Sequence, residues 1–266
     1  VLCVDDAGCR AVLPGITRPV ITYGKHGSQY NPTYSYESNT NERGNGFGLR
    51  VYKENQLLGD VFLSVPGEHN KSNALAAMIV ALELNAKFAD VAKAISHFKG
   101  VDRRFQMIGE HDGTLVVDDY AHHPTEVVAV LQAARQFIAE RQENGTPLYK
   151  RVVAVFQPHQ PGRLRDFWDD FIRAFSLADM ALITDVYVAR GAEIEGINSE
   201  RFVQCIDHPD VHYIQGPAGT LAERIVDRIN PGDLVITIGA GDITKVAPNL
   251  VSLLKLKQDR PGGRSK

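Results

Sequence analysis

The stretch LVVDDYAHHPTEV, residues 115–127, carries the strongest signal of fold and function in this chain. Its apolar, strand-forming start ends in two carboxylates, Asp118 and Asp119, and Tyr120 and two adjacent histidines follow. A helix-forming segment begins directly afterwards. Open α/β sheets bind ligands where strands end and helices begin, and a helix N-terminus offers free N–H groups to an anion. The stretch therefore predicts a strand, a ligand-binding turn and a helix.

A plain structural alternative is a capped turn between a strand and a helix. Thr125 would then be the helix N-cap, and Pro124 would stiffen the first helical turn. Capping alone requires neither the Asp-Asp-Tyr sequence nor the His-His pair. The pattern therefore favours a turn that also binds a ligand.

The composition is that of an ordinary globular chain. With 266 residues, 44% hydrophobic content and a net charge of -3, it is long enough for two domains and has no charge pattern typical of nucleic-acid binding. No apolar run approaches the roughly 20 residues of a membrane span, so we expect no membrane insertion. Three cysteines without metal-ligand spacing favour a reducing, cytoplasmic setting, and no metal site is predicted.

The first third of the sequence indicates several strands followed by two helices. The chain begins at Val1 rather than at Met, with a strand-like segment, and we interpret it as a piece of a longer protein. Residues 1–66 are rich in strand-forming segments, with a polar stretch from 25 to 46. Residues 66–86 predict a helix because Pro-Gly precedes an Ala/Leu/Met/Val body, and residues 88–98 predict a second one.

The basic connector KGVDRRFQ, residues 99–106, is interpreted as a domain boundary, since strands and helices alternate regularly after it. The strands are predicted at 107–119, 151–158, 180–187, 211–215 and 233–241. Near-continuous apolar strands that alternate with helices are typical of a largely parallel sheet covered on both faces. The predicted fold is α/β, with a Rossmann-like C-terminal domain. Residues 258–266 are polar, and we expect a flexible tail.

Polar side chains follow several of these strands. His159 and Arg163 come after one strand, Tyr187 ends another, and the glycine-containing segment GAGDI, residues 239–243, follows the last. Because the carboxyl ends of parallel strands meet at one edge of the sheet, these groups predict a binding cleft. For GAGDI alone, a tight turn with close backbone approach is the favoured interpretation.

Two further groups precede the predicted C-terminal domain. His69, Asn70 and Asn73 lie at the start of the first predicted helix, where the two amides, three residues apart, could bind the edge of a heteroaromatic base. N-capping by asparagine is an equal alternative. Arg104, beside Phe105, could bind a phosphate through its planar fork, or could simply be a solvated surface arginine.

The segments PGEHNKSNALAA, GVDRRF, DDYAHHPTE, FQPH, DVY and GAGDI, in this order and spacing, resemble the Mur ligase family over essentially the whole chain. The resemblance implies that residues 1–99 are the C-terminal part of an ATP-binding α/β central domain and that residues 100–257 are the Rossmann-like C-terminal domain. It implies ligation of L-alanine to UDP-N-acetylmuramate in peptidoglycan precursor synthesis, with ATP consumed through an acyl phosphate. Mg²⁺ ligands are expected mainly outside this sequence.

The resemblance also implies a role for each candidate residue. His122 would be catalytic, facing the reacting groups in place of His123, and Arg104 would meet the transferred phosphate. Contacts to ATP are implied for His69, Asn70, Asn73, Asp119 and Tyr120, and contacts to the substrates for His159, Arg163 and Tyr187. The sequence departs from the family pattern at 160–162, where Gln-Pro-Gly replaces a segment that begins with arginine in many relatives.

Other functions stay open. A murein tripeptide ligase has a similar His-His-Pro turn, although Tyr120 before Ala-His-His-Pro favours the alanine-adding reaction. A non-catalytic module that binds a nucleotide or a wall precursor is the third possibility. The 266 residues contain no GxxxxGK[ST] phosphate-binding loop, so we expect this sequence by itself to have no ligase activity and weak ATP affinity.

Overall fold

The structure is a computed structural model that describes residues 1–39, 47–143 and 146–258. It divides into two compact units, Val1–Gly100 and a second unit that begins at Val101. Among the described residues, no helix has the length and apolar character needed to cross a membrane. The end of the polar stretch and nearly all of the expected tail lie outside the described residues.

The first unit contains a five-stranded sheet whose strands follow one another in chain order. Its elements are β1 (Leu2–Cys3), α1 (Ala7–Val12), β2 (Thr22–Lys25), β3 (Tyr34–Asn39), β4 (Phe47–Lys53), β5 (Gln56–Leu63), α2 (Glu68–Glu83) and α3 (Phe88–Ser96). The β1–β2 and β2–β3 pairs are parallel, and the β3–β4 and β4–β5 pairs are antiparallel. The strand β3 was not predicted, because its Ser, Asn and Glu residues make the segment polar. Tyr34 and Tyr36, two residues apart, are nevertheless buried.

The second unit contains a six-stranded sheet in the order β12-β11-β10-β13-β7-β6. Its strands are β6 (Gln106–His111), β7 (Thr114–Asp119), β10 (Arg151–Phe156), β11 (Met180–Thr184), β12 (Val211–Ile214) and β13 (Asp233–Ile238), with β8 (Gln142–Glu143) and β9 (Thr146–Pro147) forming a separate pair. Its helices are α4 (Pro124–Glu140), α5 (Pro161–Asp166), α6 (Trp168–Phe171), α7 (Ser199–Cys205), α8 (Ala218–Ile225) and α9 (Val246–Gln258). The strands from β12 to β7 are parallel, as predicted.

The segment 107–119 was expected to form one strand, and the structure corrects this to an antiparallel hairpin of β6 and β7. The chain turns at Asp112 and Gly113, whose φ angles are 49° and 70°. Two consecutive positive φ angles give a two-residue turn whose twist matches that of the strands, and Asp-Gly is a strong signal for it. The sheet therefore has an antiparallel edge strand.

Helices cover both faces of this sheet, which places the core in two layers. On one face, Val116, Val155 and Val235 pack with Leu221 of α8 and Leu250 of α9. The opposite face is covered by α4 and by the segment containing α5 and α6, where Phe156 contacts Phe171 and Phe175. This doubly covered parallel sheet is the architecture that the alternation of strands and helices predicts.

We expect Leu250→Ala to lower the free energy of unfolding of the second unit by about 2–5 kcal/mol, because it opens a cavity in a fully buried layer. Leu256→Ala on the same helix is the matched control, since Leu256 is 59% exposed, and it should change stability by less than about 0.5 kcal/mol. Urea denaturation followed by circular dichroism measures both. Equal losses would contradict the proposed packing of α9.

Candidate active site

The loops that follow the parallel strands of the second unit lie at one edge of the sheet. Asp119 at the end of β7 is level with Ile238 of β13, which is level with Phe156 of β10, and Phe156 is level with Ile183 of β11. The residues that follow these positions are therefore neighbours in space. We call this edge the rim.

His122 lies on the rim in the turn after β7. Its Nδ1 atom is 2.9 Å from the carbonyl oxygen of Tyr120 and 3.5 Å from Oε2 of Glu126. Its ring lies edge-on to the ring of Tyr120, with centroids 5.1 Å apart, and to the ring of His159, with centroids 5.9 Å apart. The imidazole is thus held between a carbonyl, a carboxylate and a second histidine.

His123, the next residue, has a different role. It is the N-cap of α4, and its Nδ1 accepts the N–H of Thr125 at 3.3 Å. Its ring packs against Phe167, with centroids 4.4 Å apart. The expected cap at Thr125 is therefore wrong by two residues. Pro124 takes the first helical position, where its missing N–H costs nothing, so the cap falls on the residue before it.

Glu126 connects both histidines, and the sequence did not identify it as a site residue. Its Oε2 accepts the backbone N–H of His122 at 2.9 Å and of His123 at 3.2 Å, which completes a capping box. Burial acts to raise the pKa of Glu126, but these N–H groups and the charges of His122 and Arg104 outweigh it, and the pKa is lowered. A glutamate three residues after the N-cap is the sequence signature of a capping box, and this signal could have identified Glu126.

His159, Arg163 and Tyr187 form one cluster on the rim. Arg163 donates from Nη1 to Nδ1 of His159 at 3.1 Å, and the ring of Tyr187 stacks on the His159 ring with centroids 5.6 Å apart. The backbone N–H of Gln160 donates to the carbonyl of Tyr187, and that of Tyr187 to the carbonyl of Pro158, both at 2.8 Å. Burial lowers the pKa of His159, and the charge of Arg163 lowers it further.

Asp119 is buried below the rim, and its carboxylate forms hydrogen bonds to two loops. One carboxylate oxygen accepts the N–H of Phe105 and the other accepts the N–H of Ala121, each at 2.8 Å. Burial raises the pKa of Asp119 against the opposing effect of these two bonds. The contact to ATP that the resemblance implies for Asp119 stays a prediction, and its side chain is 6% exposed.

Asp118 and Arg103 form an ion pair below the rim, and the sequence singled out neither as a site residue. Asp118 has no exposed surface, and it accepts the hydroxyls of Thr237 at 2.6 Å and Thr244 at 2.8 Å. The Nε atom of Arg103 lies 3.4 Å from Oδ2 of Asp118. For Asp118 the sequence signal was the Asp-Asp pair at the end of the strand, and for Arg103 it was the adjacent pair of arginines, of which Arg104 was chosen.

Arg103 also binds the turn after β13. Its Nη2 donates to the carbonyl oxygens of Gly239 at 2.5 Å and Gly241 at 3.3 Å. The guanidinium lies over the ring of Tyr120, 4.7 Å from the ring centroid. Arg104, by contrast, is exposed. The phosphate contact assigned to Arg104 stays a prediction.

The segment GAGDI forms the close turn that the sequence favours. A Cβ atom on Gly241 would lie 2.3 Å from Oε1 of Gln157 and 2.7 Å from Cγ of Tyr187. The Gln157 side chain occupies this space because it accepts the N–H of Ile243 and donates to Asp242. Glycine is therefore required for close packing of the loops after β10, β11 and β13.

The residues predicted at the start of the first helix lie in the first unit, on α2. The side-chain amide of Asn70 donates to the carbonyl of Pro66 at 2.6 Å, whereas His69 and Asn73 are exposed. The N-cap is Gly67, with a φ angle of 104° and no side-chain cap, so the alternative interpretation of these asparagines as N-caps is wrong. Glycine is suited to this cap because the positive φ is strained in other residues.

No cluster of three or more His, Cys, Asp or Glu side chains within residues 1–39, 47–143 and 146–258 could hold a metal ion.

The family model described as "Mur ligase, glutamate ligase domain" matches residues 103–241, more than half of the sequence. The chain belongs to the Mur ligase family. The matched segment contains Arg103, His122, His159, Arg163, Tyr187 and Gly241.

Curated Mur ligases are similar to nearly the whole chain. The UDP-N-acetylmuramate–L-alanine ligase of Salinibacter ruber is 41% identical over 261 residues, which cover 96% of this chain and 51% of that protein. The ligase of the same name from Desulforamulus reducens is 38% identical over 261 residues, covering 97% and 53%. The chain thus spans about half the length of the curated relatives it matches.

A solved Mur ligase has the same fold. The UDP-N-acetylmuramate-alanine ligase MurC from Thermotoga maritima aligns with a TM-score of 0.71 at 24% identity, over 89% of this chain and 48% of that chain. The α/β fold class and the Rossmann-like domain predicted from the sequence are confirmed.

We expect Gly241→Ala to destabilise the second unit of this Mur ligase chain by about 1–3 kcal/mol, because the new methyl group overlaps Gln157 and Tyr187. Gly162→Ala is the matched control, since a Cβ there meets no atom within 4 Å. In a helix this control substitution should be neutral or stabilising by up to about 1 kcal/mol. Thermal melts of both variants decide the matter. A Gly241→Ala variant as stable as the control would contradict the close turn.

Proposed function

We propose that the chain is part of an ATP-dependent ligase that joins L-alanine to UDP-N-acetylmuramate in peptidoglycan precursor synthesis. One observation carries the proposal: His122, His159, Arg163 and Tyr187 meet on one rim. They do so in a chain 41% identical over 261 residues to a curated ligase of that name. A cluster of basic and imidazole side chains suits a reaction in which a proton is transferred and negative charge develops in the transition state.

In the proposed reaction, ATP converts the muramate carboxylate into an acyl phosphate and ADP leaves. The lone pair of the alanine amine then forms a bond to the acyl carbon. The bond from that carbon to the phosphate oxygen breaks, and phosphate leaves with the electron pair. The nitrogen must lose a proton in this step, and His122 is the group proposed to accept it.

We assign the remaining candidates by the same proposal. Residues 1–99 would be the end of the ATP-binding central domain, and residues 100–257 the C-terminal domain. Arg104 would contact the transferred phosphate, and ATP would contact His69, Asn70, Asn73, Asp119 and Tyr120. We derive no step through Mg²⁺. The three cysteines are free, which suits a cytoplasmic protein.

A chimera tests the proposed reaction. This chain would replace the matching half of the Salinibacter ruber ligase, and release of phosphate from ATP would be measured with UDP-N-acetylmuramate and L-alanine. We expect phosphate release that depends on both substrates. The intact S. ruber ligase is the positive control, and a thermal melt checks that the chimera folds.

Two results would contradict the alanine ligase assignment. In the first, the chimera would prefer the tripeptide L-alanyl-D-glutamyl-diaminopimelate to L-alanine as the group that it joins to UDP-N-acetylmuramate carrying no peptide. That preference would favour a murein tripeptide ligase. A folded chimera that binds ATP but never consumes it would favour a non-catalytic binding module.

The two adjacent histidines should differ in this chimera. We expect His122→Ala to lower turnover by about 10²–10⁴-fold, because it removes the proposed proton acceptor. His123→Ala should mainly lower stability, by about 0.5–2 kcal/mol, because it removes the cap of α4. Steady-state kinetics and thermal melts of both variants measure the two effects. Equal losses of turnover, or the reverse order, would mean that the roles are exchanged.

A further inference from the structure

We propose that the two histidines that face each other on the rim carry their neutral-state protons on opposite nitrogens. His122 presents a bare Nε2 that can accept a proton, and His159 presents a fixed Nε2–H that can only donate a hydrogen bond. The role of each nitrogen in ligation rests on the proposed function. The positions of the protons do not, because they follow from the partners of the two rings.

The proton position on His122 follows from a carbonyl. A carbonyl oxygen can only accept, so the 2.9 Å contact between Nδ1 and the oxygen of Tyr120 requires a proton on Nδ1. Oε2 of Glu126, 3.5 Å from the same nitrogen, favours that arrangement as well. In the neutral ring the lone pair must then be on Nε2. A proton taken up there would produce an imidazolium beside the carboxylate of Glu126.

The proton position on His159 follows from an arginine. A guanidinium can only donate, so the 3.1 Å contact between Nη1 of Arg163 and Nδ1 of His159 requires a lone pair on Nδ1. The ring is then neutral with its proton on Nε2. Protonating Nδ1 would set two donors and two positive charges against each other. The lowered pKa of His159, caused first by burial and then by Arg163, agrees with this geometry.

The charged and titratable groups around the pair do not reverse this assignment. His159 is faced by Arg163 of α5, His122, Tyr187 of the loop after β11 and Arg103 of the connector. Two of these are arginines, which keep His159 neutral. His122 is faced by Tyr120, Glu126 of α4 and His159. Within these two sets of described residues, the carboxylate of Glu126 lies on the side of His122, where it favours the proton on Nδ1.

In the proposed ligation the two rings would serve different atoms of one intermediate. The nitrogen of the attacking amine would give its proton to Nε2 of His122. The oxygen of the attacked carbonyl, which gains negative charge as the carbon–nitrogen bond forms, would accept the Nε2–H of His159. His159 would thereby become a hydrogen-bond donor of the reaction, with Arg163 as its positioning residue.

Nuclear magnetic resonance of the 266-residue chain with ¹⁵N-labelled histidine tests the proton positions directly. Long-range correlations between ring protons and ring nitrogens show which nitrogen is protonated. The chain supplies two internal references. His97 donates from Nδ1 to the carbonyl of Lys93, and His208 accepts the N–H of Asp210 on Nδ1. We expect His122 to give the pattern of His97, and His159 to give the pattern of His208. The same pattern for His122 and His159 would overturn the proposal.

A variant of Arg163 tests the cause. In Arg163→Met we expect His159 to lose its single proton position and its pKa to rise towards the ordinary value of about 6.5. Arg165→Met is the matched control, because Arg165 is on the same helix and pairs with Asp166 instead. It should leave the His159 spectrum unchanged. An unchanged spectrum in Arg163→Met, or the same change in both variants, would contradict the role of Arg163.

The chimera separates this inference from the proposed function. We expect Arg163→Met to lower the kcat of the chimera, because the Nε2–H of His159 is no longer held in position, while Arg165→Met leaves kcat unchanged. His159→Ala should lower kcat by about 10²–10³-fold, the usual loss for one oxyanion donor. Opposite proton positions in a chimera that cannot ligate would support the inference and reject the function. Ligation with identical proton positions would do the reverse.

Discussion

The rim depends on the ion pair between Asp118 and Arg103. A carboxylate without exposed surface is costly unless it is paired and hydrogen-bonded, and here two threonine hydroxyls and the guanidinium share its charge. Because Arg103 is anchored in this way, its Nη2 can hold the turn after β13 while its face supports Tyr120. Three separate segments thus take their positions from one buried charge. Breaking a buried pair typically costs about 3–5 kcal/mol, so this arrangement tolerates little change.

The fold was predictable where the sequence pattern is local. Parallel strands such as β10 and β13 are near-continuous runs of apolar residues, and this pattern can be recognised from the local sequence alone. The strand β3 was missed because its buried hydrophobic side chains are two tyrosines within a polar segment. Their burial becomes evident only when the neighbouring strands are in place. The hairpin at Asp112 was missed although the turn signal was present, because two short strands in succession resemble one long strand.

The candidate site was predictable to the extent that sheet topology determines it. Once β7, β10 and β11 are parallel, His122, His159 and Tyr187 must emerge at the same edge. What the sequence could not predict is pairing between distant positions. Thr244 binds Asp118 across 126 residues, and Arg103 binds Gly239 across 136. Such partners leave no periodic signal, so a single sequence cannot separate Arg103 from its exposed neighbour.

The link between the loops after β10 and β11 has a consequence for the dynamics of the rim. His159 and Tyr187 form a parallel β-bridge, so the hydrogen bonding of the sheet continues past the ends of both strands. Loops usually open by local unfolding at little free-energy cost, whereas sheet cores open only with the whole domain. The amide protons of Gln160 and Tyr187 are therefore coupled to the sheet, and they should exchange with solvent nearly as slowly as those of the strands. The aromatic and imidazole rings stacked above this bridge would already be in position before any ligand arrives.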